Sequence, residues 1–284
     1  MSEDAPRRIR LCADDYGISE GVNRAIRDLI ARGRLNATSI MMAGPAATRT
    51  EIAALREAAR DRACALGLHV TLTAPFRPLT MHFLPLDGGA FPTLGAMLRT
   101  ATLRRLDPEM LRAEIAAQLA AFTDIAGCAP DYVDGHQHVQ LFPQARDAFL
   151  AAVKDAAPGA WVRQCGRAAA PHRPSGENFT ARAKTALLDS LSRAFRRRCA
   201  SAGIACNPAF AGAYDYTRTT DFGRAIDGFL TGLPDGGLVM CHPGFVDDTL
   251  RQLDPLTDQR EREYAFLAGD DFVRLLARQN VTLA

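Results

Sequence analysis

The stretch Arg8-Ile9-Arg10-Leu11-Cys12-Ala13-Asp14-Asp15-Tyr16-Gly17 decides how the rest of the chain is read. Residues 8–13 have the pattern of a short strand, and that strand ends in two adjacent carboxylates. Directly after it, Ser19 has the chemistry of a helix N-cap. Val22, Ile26, Leu29 and Ile30 follow at helical spacing, and Gly33 stands where a C-terminal stop belongs. A buried strand, a polar turn and a returning amphipathic helix make up the repeating unit of parallel α/β proteins.

The unit recurs along the chain. Further strands are predicted at 38–43, 63–72, 131–133, 160–163, 203–205, 238–241 and 281–283. A second helix is predicted at 46–60. Another opens at Asp107-Pro108-Glu109, with Asp as cap and Pro in the first turn, and carries Met110, Ile115, Leu119 and Phe122 to a stop at Gly127. This alternation predicts an α/β fold with a parallel sheet covered by helices. No repeat, linker or biased tract interrupts it, so residues 1–284 read as one domain, close to the ~250 residues of a single (β/α) barrel.

Composition removes several function classes. With 34 Lys and Arg against 32 Asp and Glu, the chain lacks the basic excess of a dedicated nucleic-acid binder. A hydrophobic fraction of 48% excludes a disordered protein. No apolar run approaches the ~20 residues of a membrane span, and residues 1–8 have no apolar leader segment. The 7 cysteines are scattered without a C-x-x-C pair and read as reduced thiols, which predicts a cytoplasmic protein. Neither G-x-G-x-x-G nor a Walker A pattern occurs, so no nucleotide cofactor is expected. The basic run at Arg193, Arg196, Arg197 and Arg198 reads as a solvated helix face.

The predicted strand ends share a feature. Asp14 and Asp15 end the first strand, His69 lies in the third, and His136 and His138 follow the fourth. Arg163 ends the fifth and His242 the seventh. In parallel α/β folds those ends converge on one rim, where ligands bind. One carboxylate with two imidazoles is a ligand set for a catalytic divalent ion, and Asp15, His69 and either His136 or His138 could supply it. The other aspartate would stand beside the ion as a base, provided the strand turns so that both carboxylates reach the rim. Arg163 is placed to keep that base ionised, and His242 to protonate a departing amine. These are the parts needed for amide hydrolysis. Two other readings use the same rim: a metal-dependent phosphoesterase and a catalytically silent sugar-binding protein.

At these residues the chain resembles a known family. Ala13-Asp14-Asp15-Tyr16-Gly17-Ile18-Ser19 with Gly21-Val22-Asn23 and Thr38-Ser39, then Gly67-Leu68-His69 with Leu72-Thr73, are similar to motifs of the YdjC-like carbohydrate deacetylases. So are Asp134-Gly135-His136-Gln137-His138-Val139 with Phe142-Pro143, and Met240-Cys241-His242-Pro243-Gly244. The resemblance implies a distorted (β/α) barrel related to the polysaccharide deacetylases. It implies a divalent ion, Mg or Zn, on Asp15, His69 and His136, with Asp14 as the general base. By the same analogy Arg163 orients Asp14, and His242 acts as acid or oxyanion partner. His138 then lines the substrate site or supports it from behind. The implied partner is an N-acetylated amino sugar, chito-oligosaccharide-like or glycolipid-linked, and a homodimer is allowed for. Two departures stand out: Gly135 where the family often has Ser, and Gln140 where it often has a further His. They leave the ligand set intact and bear on substrate preference.

Three long segments at the rim, 73–106, 166–180 and 243–257, are expected to set specificity. In the first, Phe76, Met81 and Phe83 either form an apolar platform for a sugar face or anchor the segment. In the third, Asp247 is a candidate contact to sugar hydroxyls or amines.

Overall fold

Strand β1 (Arg7–Tyr16) lies mid-sheet, and every side chain from Leu11 to Tyr16 is buried. The fold is a computed structural model that describes residues 5–168, 179–216 and 221–283. After β1 come α1 (Glu20–Ala31), β2 (Ala37–Ile40), α2 (Arg49–Ala59) and β3 (Ala65–Val70). The chain continues through α3 (Leu94–Thr102), α4 (Pro108–Ala126), β4 (Tyr132–Gly135), a 3-10 turn over His136–Leu141, α5 (Ala145–Ala156) and β5 (Trp161–Val162). The last part holds α6 (Phe179–Ala202), β6 (Phe210–Ala211), α7 (Phe222–Leu230), β7 (Leu238–Cys241), α8 (Asp248–Leu253), α9 (Asp258–Ala268), α10 (Asp270–Arg278) and β8 (Val281–Leu283).

The strands form one parallel sheet in the order β5-β4-β3-β2-β1-β7-β6, with β8 paired to the start of β1. The sheet curls until its edges meet. Val162 of β5 bridges Cys206, and Phe210 of β6 donates its N–H to the Gly166 carbonyl at 3.0 Å. The result is the distorted barrel that the resemblance implies. Its rim is the carboxyl end of every strand, so residues that terminate strands arrive at one place.

Cap chemistry explains the helix ends. Ser19 accepts from the Val22 N–H, and Asp107 accepts from the N–H groups of Glu109 and Met110 above Pro108 in the first turn. Gly127 closes α4 with φ 73°, a left-handed conformation that costs glycine little. Gly67 answers a different need. A Cβ there would lie 2.5 Å from the Tyr132 ring, so its absence lets that ring pack flat on β3.

The sixth strand is not where the sequence predicts it. Residues 203–205 form the turn after α6 and contribute only a carbonyl, from Ala205 to the Val162 N–H at 2.9 Å; the paired strand is Phe210–Ala211. The rim segments are also more ordered than predicted, since 73–106 contains α3 and 243–257 contains α8. Buried Glu114 of α4 accepts from the Leu79 and Thr80 N–H groups at 3.0 and 2.9 Å, which pins the first segment to the barrel. Of the segment 166–180, residues 169–178 lie outside the described residues. Among the described residues no helix is long and apolar enough to cross a membrane.

Candidate active site

Neighbouring residues on a regular strand point to opposite faces, yet Asp14 and Asp15 both reach the rim. The β1–β2 register shifts between Ala13 and Tyr16, and Asp15 has φ 68°. This bulge turns the Asp15 carboxylate to the side Asp14 already faces. A non-glycine residue held in the left-handed region is costly and is found where function over-determines it. Gly17, at φ 100°, completes the turn, and its N–H donates to the Asn23 Oδ1 at 2.6 Å.

Asp15, His69 and His136 converge. One donor atom from each lies within 4.8 Å of the others. Asp15 Oδ1 is 3.0 Å from His136 Nδ1 and 3.3 Å from His69 Nε2. The rest of each side chain is tied from behind. Asp15 Oδ2 accepts from Arg260 Nη2 at 2.6 Å, and the same nitrogen is 2.6 Å from Asp254. His69 Nδ1 meets Asp134 Oδ1 at 2.5 Å and the Ser39 hydroxyl at 3.0 Å, which leaves Nε2 directed at Asp15. A carboxylate behind a histidine in this way fixes the ring and raises its basicity, the usual support for a metal ligand. The donor set and its support therefore fit a divalent ion.

Asp14 takes the other part. Arg163 Nη1 and Nη2 donate to its two oxygens at 2.8 Å each, and Nη2 also reaches Asp134 Oδ2 at 2.6 Å. Burial pushes the Asp14 carboxyl up, but the Arg163 guanidinium and then His69 pull it down to about 2. Asp15 is likewise held well below the usual carboxylate range, against burial, by Arg260 and His136. Burial disfavours a charge on His69, yet Asp134 and Asp14 carry it up to about 10, because two carboxylates face the ring. Cys12, Asp14 and Asp134 also cluster, but Arg163 already occupies the space between the two carboxylates.

His242 stands across the rim. Its backbone N–H donates to Glu263 at 2.5 Å, and its Nδ1 is 3.4 Å from the Tyr216 hydroxyl. Burial lowers its pKa, so the imidazole is neutral near pH 7. The remaining predicted residues sit in supporting places. The His138 Nδ1 is 3.5 Å from the Cys165 thiol and its ring meets Phe210 edge-on; burial and then Arg163 hold it down to about 3. Phe76 is buried with its ring edge-on to His136 at 5.6 Å, which makes it a wall of the site and an anchor for its segment. Asp247 is placed differently from the sequence expectation. Its two oxygens accept from the Gly21 and Leu250 N–H groups at 2.7 and 2.8 Å, so it caps α8 rather than facing the rim with a free carboxylate.

A family profile described as YdjC-like protein matches residues 8–278. The chain belongs to the YdjC-like family. Among solved structures, a protein from Enterococcus faecalis V583 described as a candidate for cellobiose-phosphate cleavage superposes with a TM-score of 0.73 at 18% identity. The match covers 99% of this chain and 97% of that one. A lactam utilization protein from Thermus thermophilus matches with a TM-score of 0.53 at 16% identity, over 97% and 98% of the two chains. A peptidoglycan N-acetylglucosamine deacetylase matches with a TM-score of 0.51 at 9% identity, over 98% and 85%. At these identities the likeness is one of fold, and it is the distorted barrel of the polysaccharide deacetylases.

In this YdjC-like chain the two departures from the family motif turn out to be neighbours. A Cβ at Gly135 would lie 2.7 Å from Gln140 Oε1, and Gln140 Nε2 donates to the Arg163 carbonyl at 3.1 Å. Glycine at 135 makes room for the Gln140 amide, which holds the backbone of the arginine that orients Asp14. Sequence reasoning gave no role to Asp134, Arg260, Asp254, Glu263 or Tyr216. Asp134 could have been found, since it stands two residues before His136 in the quoted motif. Arg260 lies 245 residues from its partner Asp15 and has no local signal.

Proposed function

We propose that this protein is a metal-dependent hydrolase that removes the N-acetyl group from an N-acetylated amino sugar. One observation carries the reading: the bulge at Asp15 sets a carboxylate with two imidazoles beside a second carboxylate that Arg163 keeps ionised. Asp15, His69 and His136 would hold a divalent ion, Mg or Zn, whose Lewis acidity makes water a nucleophile near neutral pH and polarises a carbonyl. Asp14, anionic and fixed at both oxygens, takes the proton from the attacking water. The acetamide C–N bond breaks, and the proton gained at Asp14 balances the one needed by the departing nitrogen. His242, neutral and opposite, donates a hydrogen bond to the developing oxyanion and relays that proton. Phe76 and the segment it anchors shield the His136 side from water.

The phosphoesterase alternative fits less well, because the two buried arginines near the site, Arg163 and Arg260, are already paired with carboxylates and cannot grip a phosphate. A silent binding protein would have no use for an ionised base beside a complete ligand set. The test is acetate release across N-acetylglucosamine oligomers and N-acetylated glycolipids, with a chelator and a metal series. The reading expects acetate and free amine in equal amounts, lost on chelation and restored by one divalent ion. Phosphate release from sugar phosphates with no acetate from any acetylated sugar would overturn it.

A further inference from the structure

Met81 has no place in the site or the core: it stands 91% exposed. Five of the seven large apolar side chains exposed among the described residues, Leu79, Met81, Leu84, Leu94 and Leu103, belong to the one rim segment 73–106. Its first part is a built loop. The Ala74 N–H donates to the Pro92 carbonyl and the Phe91 N–H to the Phe76 carbonyl, both at 2.9 Å, which closes the base. Within the loop, Phe83 and Phe91 are buried edge-on to each other at 4.9 Å. Glu114 holds the backbone of Leu79 and Thr80. With Phe83 taken inward and the backbone pinned, Leu79, Met81 and Leu84 are left in water on one short stretch of chain.

The charge on this segment is one-sided. Between Phe76 and Leu106 the sequence holds Arg77, Arg99, Arg104 and Arg105 against a single acidic residue, Asp87. All four arginines are exposed, and among the described residues none of them pairs with a carboxylate. Exposed Arg49 and Arg112, by contrast, meet Asp124 and Asp155 at 2.9 and 2.5 Å. Exposed apolar side chains on a segment with unpaired arginines complement a surface that offers hydrocarbon beneath anionic groups. A second copy of this chain is a poorer match, because a two-fold pairing would set the same four arginines against one another.

We propose that the loop 77–91 is a docking surface for an anionic lipid bilayer. Leu79, Met81 and Leu84 enter the boundary between head groups and acyl chains, and the arginines meet the lipid phosphates. Phe76, at the base of the loop, is the wall of the site beside His136, so docking brings the rim to the bilayer surface. Docking is read without turnover, so its failure leaves the hydrolase reading standing, and the failure of that reading leaves the docking surface standing.

The experiment sediments the full-length protein with vesicles of phosphatidylcholine alone and of equal parts phosphatidylcholine and phosphatidylglycerol, and maps amide hydrogen exchange on the bound protein. The anionic vesicles should carry down at least ~10-fold more protein than the neutral ones, less as salt is raised. Exchange should slow at residues 77–91 and stay unchanged in α2. The double variant Met81→Asp, Leu84→Asp should bind at least ~10-fold more weakly with the same circular dichroism. No sedimentation with either vesicle, equal sedimentation with both, or slowed exchange that spares 77–91 would overturn the proposal. These are read on the unsubstituted protein and decide it whether or not the variant folds. A dimer that dissociates in the double variant, with no vesicle binding, would give the surface to a second copy and overturn it as well.

Discussion

On the β3–β5 side of the rim, charged groups meet opposite charges at short range: Arg163 spans Asp14 and Asp134, and Asp134 backs His69. On the β7 side, the His242 backbone N–H donates to Glu263 and its Nδ1 lies 3.4 Å from the Tyr216 hydroxyl. The difference separates two demands of hydrolysis. A ligand set and a base must be held still and ionised, whereas a group that passes a proton must stay neutral and free to exchange. Fixed ion pairs serve the first demand, and a partly buried imidazole beside the Tyr216 hydroxyl serves the second.

The largest effect should come from the paired side. Asp14→Asn removes the proton acceptor while Asp134 still holds Arg163. Turnover should fall by about 10²–10⁴-fold with bound metal unchanged, read by acetate release and elemental analysis. Next, Asp134→Asn leaves every proposed ligand in place but takes the carboxylate from behind His69. Metal affinity should weaken by about 10–100-fold in a competition titration.

The two sides should also respond to pH with opposite signs. Asp14 lies lower in the folded protein, at about 2 against 3.8, so its contribution is present above pH 3.8 and lost as pH falls through about 2. Burial raises Glu263 to about 7 from 4.5; its contribution is complete below pH 4.5 and lost as pH rises through about 7. Glu263→Gln should flatten the decline in Tm between pH 5 and pH 8, an effect on the order of 3 kcal/mol at most. An unchanged profile would place the alkaline loss elsewhere. The smallest effect belongs to Tyr216→Phe. Losing one long hydrogen bond should reduce kcat less than about tenfold and leave metal binding untouched.

How much of this was legible in sequence follows the range of each interaction. The starts of α1 and α4 could be read at Ser19 and at Asp107-Pro108 because caps are local chemistry. The rim residues Asp14, Asp15, His69, His136, Arg163 and His242 could be read because strand ends carry phase. The two-residue strand Phe210–Ala211 could not, since its neighbours define it and its own pattern does not. The joint reach of Asp14 and Asp15 needed a bulge that sequence allowed without locating. Asp247 looked like a rim carboxylate, but an aspartate ahead of a short helix is equally a cap, and the neighbouring Gly21 N–H completes that role. Arg260 enters only because α9 packs on α1 and α7, which carries its guanidinium across to Asp15.

Metal content per chain tests the central claim most directly, measured on the protein as purified and on Asp15→Ala, His136→Ala and Asp14→Asn after equal exposure to zinc and magnesium. The account predicts one divalent ion per chain in the unsubstituted protein and in Asp14→Asn, and none in the other two. Equal metal in all four proteins, or acetate released at full rate by metal-free protein, would contradict it.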